Sequence, residues 1–598
     1  MIREWWLVVR ETRATLGTVS ISHTEVCLHQ RLTAFARVQA RAVVALVVLV
    51  TALSSAGTAL ADKAAIASAH PLATAAGYEI LKRGGNAFDA AIAVSAALAV
   101  VEPYASGLGG GGFFLLHRAS DKRDVMIDAR ETAPGRATRS MYLDADGRPN
   151  EANSINGALA AAIPGTPAGL VWLAQHYGRL PLSVSLAPAI TLARDGFSVD
   201  GRYASAASAR EALLKANADA ARIFLADGVA PKEGFKLRQP QLASTLEALA
   251  LRGRDGFYAG DLATRMVAGV RAGGGIWELD DLATYQVVER EPAHVRYRGA
   301  LITFAPLPSA GGIVLTESLQ ILERFPIGSM PPVQRDHLIV EALRRGYQDR
   351  ARYLGDPAFV TPPARLTTIG YADQRAASID VSKATASAEL DVLYPLIPEG
   401  DNTTHFSIVD AAGNRAAVTL SVNLPFGAGV VAGDTGVLLN DEMNDFAIAP
   451  GLPNAYGLVG NEANAVQPRK RPLSSMTPAF VEDERGVLVL GTPGGSRIMS
   501  MVLLGILEYV DNAGVDKSGI DLDRIVSAPR FHHQYLPDRL EYEPGGFSAE
   551  WIDALKAMGH TLQEGKRRWG NMQAVYVDYA SGEAKAASDP RGKAGLLF

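Results

Sequence analysis

The stretch EGDNTTHFSIVDAAGNRAAVTLSVNLPFGAG, residues 399–429, decides how the rest of the chain is read. Two alternating runs, from Thr404 to Val409 and from Arg415 to Val422, flank the turn-forming Asp410-Ala411-Ala412-Gly413-Asn414, which predicts a β-hairpin. Pairing Val409 with Arg415 sets a register in which Thr403 lies opposite Ser421. Directly opposed residues sit about 5 Å apart, so the two hydroxyls come within reach of each other. Period-two alternation places Thr419, Ser421 and Asn423 on one face, an unusual set for a half-buried strand. A polar face there points at a site. Taken alone, Thr-Thr ahead of a strand is ordinary β-propensity, so the surrounding sequence has to decide.

Outward from the hairpin, the texture of the chain changes. From about Gly165 to Leu390 helical patterns dominate, broken at Ala305–Gly312 and around Gly355-Asp356-Pro357. After Asp401 short strands with turn signals take over: THFSIVD, RAAVTLSVNL, GVLLN, AFVEDERGVLVL and AVYVDYASGEAKAAS, the last turning at Ser581-Gly582. Nearer the N-terminus, Leu72–Arg83 and Ala87–Val101 read as two helices, separated by Gly84-Gly85 and an N-cap at Asn86, and ended by Pro103. A glycine run, Gly107 to Phe113, leads into the short strands FFLLH and VMIDAR. Strands and helices in separate blocks imply a layered α+β fold instead of βαβ units.

Composition narrows the function. With 598 residues, 48% of them hydrophobic and 20% charged, the chain can bury a large core. A net charge of −5 and no basic patch interleaved with aromatics exclude a nucleic-acid footprint, which leaves a small-molecule substrate. Ala42–Ala61 is an apolar run behind Arg31, Arg37 and Arg41 that ends in Ala59-Leu60-Ala61. Its strongly apolar part is shorter than the roughly 20 residues a spanning helix needs, so it reads as a signal peptide cut after Ala61. The stretch ahead of it is long for such a leader, which points to a true start further along the chain. The single cysteine, Cys27, lies in that leader, so the exported chain carries no disulfide, and a core this large needs none.

Several longer motifs follow the hairpin in order: MNDFAIAPGLPNAYGLVG (443–460), KRPLSSMTP (470–478), GTPGGSR (491–497) and APRFHHQ (528–534). Upstream stand GGNAFDAAIAVSAALAVVEP (84–103), GLGGGGF (107–113) and IDARETAP (127–134). Together they resemble the γ-glutamyltransferase (glutathione hydrolase) family of N-terminal-nucleophile hydrolases, from about residue 65 to the C-terminus. The resemblance implies a four-layer αββα sandwich formed jointly by two fragments of one precursor. It divides the chain into a leader (1–61), a large subunit (62–402) and a small catalytic subunit (403–598). The cut falls between Asn402 and Thr403, and Thr403 becomes a nucleophile with its own α-amine as base. A threonine hydroxyl is a poor nucleophile, and an amine of pKa about 8 is a base that works at neutral pH.

By the same resemblance Ser421, a threonine in many relatives, orients Thr403, and Gly494 and Gly495 form the oxyanion loop. Glycines let main-chain N–H groups approach an oxyanion, each good donor contributing about 3 kcal/mol at the transition state. Neither glycine loop is followed by Gly-Lys-Ser/Thr, so a phosphate cradle is disfavoured. Arg130, Ser474 and Ser475 take the substrate α-carboxylate, and Asn423, Glu442 and Asp445 its ammonium; an arginine fork bonds a carboxylate bidentately. Tyr456 matches an aromatic that covers the pocket. His405, His532 and His533 carry no H-E-x-x-H or matching acid set, so no metal is assigned, and no cofactor.

The resulting expectation is a hydrolase and transferase that moves γ-glutamyl groups from glutathione and related compounds to water or to amino acid or dipeptide acceptors. Its two fragments pair as a heterodimer, exported to the periplasm if the host is Gram-negative. Two readings compete: a glutaryl or cephalosporin acylase of the same fold, and a non-catalytic binding protein on it. Asp445 argues against the first, since a glutaryl group has no ammonium, and intact Thr403, Gly494, Gly495 and Arg130 argue against the second.

Overall fold

The computed structural model describes residues 63–390, 402–449, 451–452, 454–455, 457–511 and 520–592. After a short first strand come two helices. Helix α1 (Pro71–Lys82) starts where the His70 side chain accepts the Leu72 N–H, and α2 (Ala87–Val101) starts from a reciprocal cap between Asn86 and Asp89. Every residue of α2 is buried, which is why its sequence is small and apolar all round.

Twelve strands build two sheets. The first eight are β1 (Ala65–Ser68), β2 (Gly111–Arg118), β3 (Arg123–Ala129), β4 (Val288–Arg290), β5 (Ala293–Tyr297), β6 (Ala300–Phe304), β7 (Thr404–Val409) and β8 (Arg415–Ser421). The last four are β9 (Ala479–Glu482), β10 (Gly486–Gly491), β11 (Gln573–Asp578) and β12 (Ala584–Ser588). One sheet runs β1-β7-β8-β2-β3-β4 and the other β12-β11-β10-β9-β6-β5, with every neighbouring pair antiparallel. In both sheets strands from before residue 403 are hydrogen-bonded to strands from after it.

Alternation along β7 and β8 sorts their side chains between two cores. Phe406, Ile408, Ala416, Val418 and Leu420 join a cluster with α1, α2 and the helices α3 (Thr166–His176) and α4 (Leu182–Asp195). On the other face, Val409 and Ala417 join Phe113 and Leu115 in a second cluster shared with the second sheet, for example Ile302, Leu488 and Val575. That cluster also takes in α5 (Gly311–Leu322), α6 (Pro332–Tyr353) and α7 (Ile498–Asp511).

Two expectations change. The largely helical block contains the hairpin β5–β6, turned by Arg298-Gly299 with φ of 47° and 88°, and this hairpin supplies the edge of the second sheet. Two central residues at positive φ are the two-residue turn that matches strand twist, so the alternation in AHVRYRGALITF was a readable signal. Conversely GVLLN (436–440) forms no strand, only isolated bridges of Leu438 to Val431 and of Leu439 to Gly109.

Candidate active site

The hairpin has the expected register: Arg415 pairs with Val409, and the ladder runs to Leu420 opposite Thr404. One step further, Thr403 Oγ1 and Ser421 Oγ lie 3.3 Å apart. Ser421 Oγ also accepts the Asn423 N–H at 2.8 Å, so it is held from two sides. Behind this pair the same face continues polar, with His405 Nδ1 2.8 Å from Thr419 Oγ1 and Ser407 Oγ donating to the Gln573 carbonyl. Burial drives the His405 pKa down to about 3, so its ring is neutral at working pH. Asn423 departs from the alternation: β8 ends at Ser421, and Asn423, at φ 74°, reaches the site from the following turn, donating to the Asp441 carbonyl.

Backbone strain marks Thr403 itself. Thr403 has φ 143°, a region that a β-branched residue almost never occupies. Strain of this kind costs on the order of 1–3 kcal/mol and persists only where the surroundings impose it. Across from Thr403 the main chain of Ser421 is closely approached: a Cβ on Gly110 would sit 2.0 Å from the Ser421 carbonyl oxygen. Within the glycine run, Gly110 and Gly112 therefore serve backbone packing against β8.

One cavity gathers Thr403, Ser421, Asn423, Arg130, Glu442, Asp445, Ser474, Ser475 and Gly495, with Leu458, Met476 and Ile498 as apolar wall. Its volume is only about 20 Å³, room for about one water. The charges have closed on each other. Arg130, 1% exposed at the end of β3, donates to Glu442, Asp445 and Glu131, and through Nε to the Pro472 carbonyl. Its main-chain carbonyl is pinned from behind by Tyr285 and Arg471. Burial alone would lower the Arg130 pKa, but Glu442, Glu131 and Asp445 outweigh it and hold the guanidinium charged.

Those acids are more than one arginine can balance. Burial raises Glu442 well above the carboxylate range and raises Asp445, in each case against the pull of Arg130. Burial likewise pushes Glu131 up to about 7 and Asp441 up to about 8. Glu442 Oε2, Glu131 Oε1 and Asp441 Oδ2 are buried without a hydrogen-bond partner, and so is Ser475 Oγ. Two unsatisfied acceptors, on Glu442 and Glu131, therefore belong to ion-pair partners of Arg130, and an unsatisfied hydroxyl, on Ser475, shares the cavity with it. Sequence reasoning missed Glu131 and Asp441, though each stands next to a residue it had singled out.

The glycine loop lies at the start of α7. Gly494 has φ 141° and Gly495 φ 56°, conformations that favour glycine, and Gly495 lines the cavity with Thr403. A short 3₁₀ turn, Gly495–Arg497, runs straight into α7, which aims a helix N-terminus at the cavity. Tyr347 of α6 ties the loop down by donating to the Ser496 carbonyl. Gly494 is outside the cavity lining, and Tyr456 lies outside the described residues.

The three histidines go to separate partners: His405 to Thr419 and Ser407, His532 to Ser500 and Gln534, His533 to Asp538 and the Tyr535 N–H. Among the described residues His337, Glu341 and His560 place three metal-type atoms within 4.8 Å of one another. The Glu341 carboxylate already accepts from Arg344, Arg345 and the Thr385 N–H, and two guanidiniums there oppose a further cation.

A family model described as gamma-glutamyltranspeptidase matches residues 73–597. The glutathione hydrolase proenzyme of Escherichia coli (strain K12) is 43% identical over 539 residues, 89% of this chain and 91% of that protein. A glutathione hydrolase proenzyme from Pseudomonas sp. (strain A14) is 41% identical over 553 residues, covering 90% and 94%. Among solved structures, a cephalosporin acylase from Bacillus halodurans superposes with a TM-score of 0.77 at 27% identity, covering 89% of this chain and 94% of that one.

Proposed function

The chain belongs to the γ-glutamyltranspeptidase family, and from that premise and the geometry around Thr403 we infer that it is a self-processing γ-glutamyl hydrolase and transferase. The observation that carries the substrate reading is the charge imbalance at Arg130: buried acids in excess, with unsatisfied acceptor oxygens, ask for a cation. A γ-glutamyl donor brings an ammonium and a carboxylate on one carbon. Its carboxylate takes the Arg130 fork and the Ser474 and Ser475 hydroxyls, while its ammonium takes Glu442 and Asp445, with Asn423 alongside. The internal pairing of Arg130 with Glu442 and Asp445 is thereby exchanged for pairing of both sides with the substrate. A glutaryl group would bring only the anion and leave the acids uncompensated, which disfavours the acylase reading.

Maturation uses the same hydroxyl. Thr403 Oγ1 adds to the Asn402 carbonyl carbon, the C–N bond breaks, and the nitrogen gains the hydroxyl proton, leaving an ester that water splits. The strained φ at Thr403 raises the energy of the peptide to be cut. Afterwards the free Thr403 amine draws the proton from Oγ1 as the hydroxyl attacks the γ-carbonyl of the donor. Ser421 holds Oγ1, and Gly494 and Gly495 receive the oxyanion on main-chain N–H groups. The leaving amine takes the proton away, and water or an amino acid or dipeptide amine then opens the γ-glutamyl ester. Glutathione is the reference donor.

On this reading the fold is a four-layer αββα sandwich of two associated fragments, residues 62–402 and 403–598. Residues 1–61 are an export leader that directs the enzyme to the periplasm. The helix contacts on each sheet and the shared second core support the layering. Thr403→Ala tests the whole scheme: it should leave one uncut chain with γ-glutamyl-p-nitroanilide turnover down by more than about 10⁴-fold. A variant that still splits into two fragments on a gel would remove Thr403 as nucleophile.

A further inference from the structure

Behind the Thr403–Ser421 pair, on the opposite face of β7, stands a buried carboxylate that the chemistry described so far does not use. Thr404 shares the face of Phe406 and Ile408, yet its hydroxyl does not end in apolar packing: it donates to Glu102 Oε2 at 3.0 Å. The other carboxylate oxygen, Oε1, accepts from the Tyr104 hydroxyl at 3.0 Å. All three residues are buried, Glu102 to 2% exposure. A carboxylate only accepts, so this one group takes both hydroxyls at once.

Its anchorage is rigid. Glu102 ends α2, with its N–H on the Leu98 carbonyl and its own carbonyl accepting the Ala105 and Ser106 N–H groups. Tyr104 extends the support to the other strand: its carbonyl accepts the Phe426 N–H, and its ring lies 6.2 Å from that of Phe426, in the turn that carries Asn423. The Glu102–Tyr104 pair therefore braces β7 from behind together with the turn after β8. Thr403 needs such a brace. Its φ of 143° is unfavourable by itself, and Thr404 is the last rung of the ladder, where a strand frays first. A Thr404 free to rotate would let the Thr403 main chain relax and carry Oγ1 away from Ser421.

We propose that Glu102 is a positioning residue: its carboxylate, steadied by Tyr104, holds Thr404 on the last rung and so keeps the Thr403 hydroxyl against Ser421, in the uncut precursor and in the cut enzyme alike. This rests on Thr403 as nucleophile. Glu102 is outside the cavity lining, so it does not touch the donor, and it takes no proton in the reaction. Its loss acts on the rate at Thr403 and leaves donor recognition at Arg130, Glu442 and Asp445 as it was.

The test is a double-mutant cycle on the full chain, read as the rate of self-cleavage of the purified precursor and as kcat per titrated active site with γ-glutamyl-p-nitroanilide. Thr404→Val, which keeps the shape and removes the donor, should lower both by about tenfold, and Glu102→Gln, which weakens the acceptor, by about threefold. KM should change less than about twofold. The double variant should be slower than Thr404→Val by less than about twofold, because both changes break one bond. Thr404→Ser, which keeps the hydroxyl, should stay within about threefold of the parent. Parental kcat per active site in Thr404→Val with only a lower thermal midpoint, losses that multiply in the double variant, or failure of both single variants to fold would each overturn the proposal. Thr403→Ala separates it from its premise. If that variant still splits, the nucleophile assignment falls and this one with it; if it stays whole while Thr404→Val works at the parental rate, only the positioning role falls.

Discussion

The proposed nucleophile and the proposed recognition pocket share one cavity but are built on opposite principles. Thr403 and Ser421 are 18 residues apart, neutral, and set by a backbone ladder that needs no ligand. Arg130 meets Glu442 and Asp445 across 312 and 315 residues, and this end is all charge, closed on itself and short of cations. A ladder can present a hydroxyl in advance because nothing opposes it. Clustered acids cannot be held in advance without a counter-charge, so the recognition end is defined by what it lacks. Substitutions at the first should act on chemistry and those at the second on selectivity.

Asp445→Asn is the strongest way to sharpen that contrast. It should depress kcat/KM for γ-glutamyl donors by roughly ten- to a thousandfold, as expected for truncating one partner of a buried charge pair. Glutaryl donors should lose far less, or gain, and self-cleavage should persist. The measurement is the ratio of γ-glutamyl to glutaryl kcat/KM before and after. Equal losses would mean that Asp445 holds the pocket together and does not read the ammonium.

Ser421→Ala attacks the other side, where a hydrogen bond contributes about 0.5–3 kcal/mol depending on burial and charge. Turnover and self-cleavage should both slow, with the donor ratio unchanged, and Ser421→Thr should be tolerated. Rates equal to the parent's in the alanine variant would show that the 3.3 Å contact has no catalytic weight.

A third test concerns the polar stripe behind Thr403. Burial keeps His405 neutral down to about pH 3, whereas an unfolded histidine takes a proton near 6.5. Its contribution to stability is therefore whole above about pH 6.5 and is lost as pH falls toward about 3, by up to about 1.4 kcal/mol per pH unit. In the uncut Thr403→Ala background, the advantage in thermal midpoint of His405 over His405→Gln should shrink from about pH 7 to about pH 4. A gap that ignores pH would show that the folded ring takes up the proton.

What was legible in the sequence follows the same divide. The β7–β8 register could be read because turn residues and alternation are local, and α1 and α2 because Asn86 and Gly84 punctuate them. The family motifs named Arg130, Glu442 and Asp445 but not their mutual closure, since no spacing rule relates residues more than 300 positions apart. Glu102, Glu131 and Asp441 were invisible for another reason: a charged residue in a sequence looks like a solvated surface group until its burial is known. The β5–β6 hairpin, by contrast, lay open to reading at Arg298-Gly299 and was obscured by the helices around it.

The interleaved strand order has a consequence for the life of the mature enzyme. If the chain is cut before Thr403 as proposed, β7 and β8 would stay wedged between β1 and β2 and β9 paired with β6, so neither fragment would own a complete sheet. The instructions for assembly reside in the continuous precursor and are spent in maturation. Unfolding of the cut enzyme is then a one-way event: the loosened pieces must find each other again by collision, with strand edges exposed to aggregation. Its working lifetime is set by the height of the unfolding barrier and not by an equilibrium between folded and unfolded forms.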